Sequence, residues 1–280
     1  MANRSNSGRA QESSVKHSFG VDLAHDFAGA ILFSFPLLMT MEMWWLGFYM
    51  DRLRLALFLA LAFATILGLS YFEGGHETLK IEILDALVAC ATGYTIAAVM
   101  LLLFGILEPG MSADEIVGKV SLHAVPCSFG AILARRQLDV EETRKERTRR
   151  QGYWAKIFLM GAGAIFLAFQ LAPTEEMVLL GHMMRGWQAA ALAVISLGVI
   201  QAFTCSIELG PRGSFFSARF FWGVFLRFTS VGYAIALLLS IYVLWTFGRL
   251  DGAAAAEVVK ATLVLAFPAA LGASAARLIL

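Results

Sequence analysis

Apolar residues in this sequence fall into blocks of about twenty, and the blocks recur along most of the chain. A hydrocarbon core of roughly 30 Å takes about 20 helical residues to cross. Inside lipid every backbone N–H and C=O has to be satisfied by the protein itself, so only helices or closed β-barrels span it. The blocks lack the strand-like alternation of a barrel. The fold class is therefore all-α, a polytopic transmembrane helix bundle. Composition agrees, with 59% hydrophobic and 15% charged residues and a mean hydropathy of +0.70. Soluble domains average about 45–50% apolar and 25% charged.

The pattern predicts about eight spans, near 24–48, 53–72, 82–107, 114–135, 154–172, 180–206, 220–247 and 257–279. Lys119, His123 and Pro126 interrupt the fourth, and a seven-span alternative lays that segment on the membrane surface. Residues 1–20 are polar, with no apolar signal-peptide core, and read as a disordered cytoplasmic tail. Residues 137–152 form a charged linker. Its Arg144, Lys145, Arg147, Arg149 and Arg150 are interspersed with Glu141, Glu142 and Glu146, which suits a solvated segment or anionic lipid headgroups rather than nucleic acid. With the N-terminus inside, the cytoplasmic side collects 15 Lys and Arg residues against 6 outside, which predicts that both termini are cytoplasmic.

An internal repeat organises the spans. Residues 29–47 and 163–181 are identical at ten of nineteen positions, among them Gly29/Gly163, Thr40/Thr174, Glu42/Glu176 and Gly47/Gly181. Gly93-Tyr94 answers to Gly232-Tyr233, and 115–135 aligns with 257–277 through Glu115/Glu257, Pro126/Pro268, Gly130/Gly272 and Arg135/Arg277. Three matches in the same order imply duplication. The expectation is two tandem four-helix repeats, over 21–136 and 153–280. Four spans return the chain to its starting side, so the copies run parallel, as in some transporters.

Ionisable residues within membrane spans are costly and are the natural functional candidates. Glu42 and Glu176 lead, and a twofold axis could bring them together as a cation site or a proton-coupled pair. Thr40 and Thr174 would add oxygen ligands. The competing reading has both glutamates capping or snorkelling at the outer interface, or paired with Arg52, Arg54 or Arg185. Pro126 and Pro268 free a carbonyl in mid-helix, serving as a packing kink or as a hinge and ligand. His123 lies one turn from Lys119, and the two have no counterparts at Leu265 and Ala261. They are read as facing an external vestibule or as part of a proton relay. At the inner side, Asp26, Glu82 and Asp85 form either interfacial charge or an ion funnel, with Arg227 available to neutralise a carboxylate. Cys90, Cys127 and Cys205 lie in apolar blocks without metal-ligand spacing, and no metal is assigned. No nucleophile elbow, P-loop or dinucleotide motif occurs in its required context. The chain is read as non-enzymatic and without a cofactor.

The run Pro36-Leu37-Leu38-Met39-Thr40-Met41-Glu42-Met43-Trp44-Trp45, in a chain of this length, resembles a family of uncharacterised bacterial integral membrane proteins. The resemblance implies a multi-pass protein of the bacterial inner membrane and carries over no activity. The expected function is an ion channel or secondary transporter for a small inorganic cation. Its pathway would be lined by Glu42, Glu176, Thr40, Thr174, Pro126, Pro268 and His123. The alternative is a non-transporting membrane subunit or scaffold. Expected partners are membrane lipids, an inorganic cation, and a homo-oligomer or small membrane subunit, with no nucleic acid.

Overall fold

The computed structural model describes residues 24–74, 79–137, 152–209 and 218–279. The tail expected over 1–20 and linker residues 138–151 lie outside these residues. Within them the chain is helical: α1 Ala24–Leu38, α2 Met41–Tyr49, α3 Arg52–Gly74, α4 Leu79–Leu103, α5 Ala113–Gln137, α6 Tyr153–Leu171, α7 Glu175–Met183, α8 Gly186–Leu209, α9 Ala218–Val224, α10 Ser230–Thr246 and α11 Ala255–Ile279. A π-helical turn over Phe225–Thr229 joins α9 to α10. Among the described residues seven helices are long and apolar enough to cross a membrane, α9 to α10 counting as one, or eight when the α1–α2 pair counts as one bent span.

Two expected boundaries change. The helix predicted over 24–48 breaks, and α2 leaves α1 at 84°. In the second half, α7 occupies most of the expected connection 173–179 and the first residues of the span expected over 180–206, which instead begins at Gly186. The same device makes both breaks. Thr40 and Thr174 adopt extended backbone at the start of a nine-residue helix, and each hydroxyl donates back to the last turn of the preceding helix, to Leu37 O at 2.7 Å and Leu171 O at 2.8 Å. Proline is not the shared cause, because Pro173 adjoins its break whereas Pro36 lies inside α1. Trp44 Nε1 donates to Leu38 O at 2.9 Å and pins α2 across the corner. Glu42, and Glu175 with Glu176, stand in the first turns, where a carboxylate complements the helix dipole.

α5 runs unbroken for 25 residues through Lys119, His123 and Pro126, is long and apolar enough to cross a membrane, and is enclosed by the other helices rather than laid on their surface. Its most apolar 18-residue stretch is 78% buried, against 28–56% in the other spanning helices. A less hydrophobic helix fits at the centre because protein, rather than lipid, surrounds its polar groups. α2, α3 and α4 pack on α5, while α6, α7, α8 and α10 pack on α11. Small residues permit the closest approaches. A Cβ on Gly130 would lie 2.5 Å from the Gly29 carbonyl oxygen, and in the second half Gly163 and Gly272 meet in the same backbone-to-backbone manner.

The halves meet where α3 and α5 face α6 and α10. Aromatic rings fill that seam. Phe58 lies 4.7 Å from Phe169 and 5.4 Å from Phe247 between ring centroids, and Phe129 lies 5.9 Å from Phe166 and 6.0 Å from Phe169. Gln170 crosses the seam by donating to Phe33 O at 2.9 Å. The π turn is held by Gln201, which accepts from Thr229 Oγ1 at 2.5 Å and donates to Phe221 O at 3.2 Å. A turn closed by i→i+5 bonds is uncommon, and this buried amide ties it to α8.

Candidate functional site

Charge enters the apolar bundle at the end that carries α2, α7 and the connections 104–112 and 247–254. On α5, Glu115 and Lys119 are one turn apart, and Lys119 Nζ lies 2.7 Å from Glu115 Oε1. The pair is sunk into protein, its side chains 9% exposed at Lys119 and 19% at Glu115. The cause is the close seating of α2: a Cβ on Gly47 would lie 2.7 Å from both Lys119 N and Lys119 Cα. One turn deeper, His123 is fully buried, with Nδ1 2.7 Å from Lys119 O. Above the pair opens a cavity of about 470 Å³, walled by Trp44, Phe104, Glu108 and Met111 as well as Glu115 and Lys119. Lys119 Nζ also lies 3.8 Å from Met111 Sδ.

The second half carries a cavity of about 530 Å³ lined by Glu175, Glu176, His182 and Arg249. Its wiring differs because Ala261 stands at the position aligned with Lys119. Glu257, aligned with Glu115, therefore reaches across to α7, where His182 Nε2 lies 3.2 Å from Glu257 Oε1. Arg249 donates to Pro173 O and lies 3.9 Å from Glu175.

Each residue singled out in the sequence has a definite place. Glu42 is half-buried in the first turn of α2, and Glu176 is exposed in the first turn of α7. They are not gathered into one cavity: α2 packs on α5 and α7 on α11, and Glu176 lines the second cavity while Glu42 is absent from the lining of the first. Thr40 and Thr174 spend their hydroxyls on the helix breaks. Pro126 is buried and Pro268 half-buried within continuous helices. His123 joins Lys119 beneath the cavity lined by Trp44 and Glu108. The residue not singled out as a site is Glu115, and its signal was the i, i+4 spacing to Lys119.

At the opposite end, Asp26 and Glu82 are buried, and Ser70 Oγ donates to Glu82 at 2.7 Å. Arg227 is exposed, and its carbonyl accepts from Tyr153 OH at 3.0 Å. The Arg277 guanidinium lies 4.3 Å from the Phe228 ring centroid. Cys90, Cys127 and Cys205 are free thiols. Among the described residues no three His, Cys, Asp or Glu side chains come together as metal ligands.

A family model described as "Putative integral membrane protein (DUF2391)" matches residues 22–280. The chain belongs to this family. That agrees with the apolar helices and with the resemblance carried by residues 36–45. No curated protein and no solved structure matches the chain. It is an integral membrane protein whose apolar helices contact lipid.

Proposed function

We propose that this protein is a secondary transporter or channel for a small inorganic cation, built from two tandem parallel four-helix repeats with a vestibule at the outer end of each. The observation that carries this reading is the Glu115–Lys119 pair, buried within a spanning helix at the floor of an open cavity. Burying two charges is expensive, and a hydrophobic pair of similar volume often stabilises a fold at least as well. The second half has no such pair within its central helix: Ala261 stands at the position of Lys119, and Glu257 turns to His182 instead. The repeat is supported by the matched Thr-initiated short helices and by the recurrence of the Gly29–Gly130 contact at Gly163–Gly272.

Glu42 and Glu176 enter this reading as separate carboxylates at the two outer mouths. Thr40 and Thr174 hold the mouths' shape, and Pro126 and Pro268 lie on the central helices. No chemical step is assigned. The excess of Lys and Arg on one side supports cytoplasmic termini, and family membership with that asymmetry supports a bacterial inner membrane.

Purified protein in liposomes should pass a monovalent cation faster than empty vesicles. The double variant Glu115→Gln/Lys119→Met removes both charges without orphaning either, and should lower the flux about tenfold or more. Wild-type vesicles no leakier than empty ones, with a stoichiometric partner recovered from native membranes, would instead support a scaffold.

A further inference from the structure

His123 holds a buried nitrogen that the fold does not use. Its Nδ1 lies 2.7 Å from the Lys119 carbonyl oxygen. A carbonyl only accepts, so Nδ1 carries the hydrogen, and in the neutral ring Nε2 presents a bare lone pair. Nε2 is buried and has no hydrogen-bond partner among the described residues. A buried polar atom left without a partner loses the hydrogen bond it would make in water, which destabilises the fold. The second half avoids that cost, because Leu265 occupies the aligned position and is fully buried.

We propose that His123 Nε2 is a proton-binding site reached from the outer vestibule past the Glu115–Lys119 pair, and that the proton is the cation moved by the first half. The inference rests on the transporter reading and names its ion. Glu115, Lys119 and His123 follow at i, i+4 and i+8 on one face of α5, which carries the line about 12 Å along the helix. Their side chains become steadily more enclosed along it, ending with the fully buried His123. A metal ion would need about four donors, and no three candidate ligands converge among the described residues. A proton needs only the one lone pair that is present.

The surroundings of the imidazole are otherwise poor in charge. Of the elements packed against α5, α2 carries Glu42 and Tyr49, α3 Arg52, Arg54 and Tyr71, α4 Cys90 and Tyr94 with Lys80, Glu82 and Asp85 in its first two turns, and α1 His25 and Asp26 at its start, while α5 itself carries Cys127. α3 between 55 and 72, and α6 between 157 and 171, carry no Asp, Glu, Lys, Arg or His. The neighbouring cation, Lys119, is balanced by Glu115. In the binding step a hydronium in the vestibule gives its proton to the Nε2 lone pair and leaves as water. The imidazolium later releases that proton to a water, and Nδ1–H donates to the Lys119 carbonyl throughout. Toward the other end every α5 residue from Ala124 to Ile132 is buried and α5 meets α1 at Gly130, whereas the cavity above Lys119 ends about one helical turn from His123, so the shorter approach is from the cavity.

The test uses the full chain in proteoliposomes with a trapped pH-sensitive dye, and valinomycin with K⁺ to carry compensating charge; Na⁺ uptake is measured in parallel. Wild type should collapse an imposed pH gradient faster than empty vesicles. His123→Leu, which copies the residue of the second half, and His123→Gln should each slow proton flux about tenfold or more while eluting as folded protein. Wild-type proton flux in either folded variant would overturn the proposal. So would a wild type that carries Na⁺ but no protons, although the transporter reading would then stand. A wild type that moves neither ion would sink both.

Discussion

Arg54 and Asp251 form a two-point ion pair that ties the start of α3 to the connection between α10 and α11. Nη1 and Nη2 of Arg54 lie 2.7 and 2.9 Å from the two carboxylate oxygens. The guanidinium also donates to Trp245 O at 3.1 Å and lies 5.0 Å from the Trp245 ring centroid. It thereby clamps the two halves together at this end, beside the cavity lined by Glu175 and Arg249.

The clamp has a defined pH signature. The hydrogen bonds from Arg54 hold the Asp251 carboxyl below its ordinary value, ahead of an opposing contribution from burial. A depressed carboxylate contributes stability above its unfolded value of about 3.9, and that contribution is lost as pH falls further through the folded value. The Asp251 side chain is 56% exposed, which limits the effect by solvent screening. Asp251→Asn should therefore destabilise the detergent-solubilised protein by no more than about 1 kcal/mol at pH 7. The difference from wild type should shrink below pH 4. Thermal unfolding at the two pH values checks both, and an equal deficit at each would rule out the ionic contribution.

Backbone contact at the glycine pairs sets a larger effect. A Cβ at Gly130 would stand 2.5 Å from the Gly29 carbonyl oxygen and 3.1 Å from Ala30 Cα, which are backbone atoms with no side chain to swing aside. Gly130→Ala should cost about 1–3 kcal/mol, the range for overpacking. Gly272→Ala should cost a similar amount, because it meets the Gly163 carbonyl. Gly198, which has open space around its Cβ direction, is the control. Gly198→Ala should be neutral or slightly stabilising in a helix.

The spanning helices were legible because lipid leaves the chain almost no choice: a 20-residue apolar block has to be a helix. The corner at Thr40 was not, since the residues from Leu37 to Tyr49 are apolar on both sides of Thr40 and Glu42 and read as one continuous block. Its signal was local, a Thr two residues before a Glu in both halves, which is an N-terminal helix pattern set inside a hydrophobic run. The Glu115–Lys119 spacing was visible, whereas its burial depends on α2 settling onto α5 at Gly47 and Gly118, a contact about 70 residues distant in the chain. The match between residues 29–47 and 163–181 related Glu42 to Glu176 by position in the sequence. It carried no information about distance, and the packing of each short helix on its own half keeps them apart.

Topology is open to direct labelling. Glu108 lies in the connection 104–112 and Ala254 in the connection 247–254, both exposed, with four spanning helices between them. The native thiols at Cys127 and Cys205 are buried and Cys90 is half-buried, so background labelling should be low. Glu108→Cys and Ala254→Cys should both react in intact cells with a membrane-impermeant maleimide. Gly152→Cys should react only after the membrane is permeabilised. Reaction of Glu108→Cys and Ala254→Cys on opposite sides would break the parallel arrangement.

The separation of Glu42 and Glu176 leads to a prediction that a shared site would not make. Each carboxylate lies on a short helix packed against the central helix of its own half. Substitutions at distant sites without common partners combine additively in free energy, so their effects on a rate multiply. Glu42→Gln and Glu176→Gln are each expected to lower cation flux about two- to fivefold by weakening attraction at one mouth, with more effect at low ionic strength. The double variant should show the product of the two single effects. If either single substitution abolishes flux as completely as the double, the two carboxylates act as one unit and separate mouths are ruled out. Multiplicative loss, stronger in dilute salt, is the outcome required by two vestibules that admit ions independently.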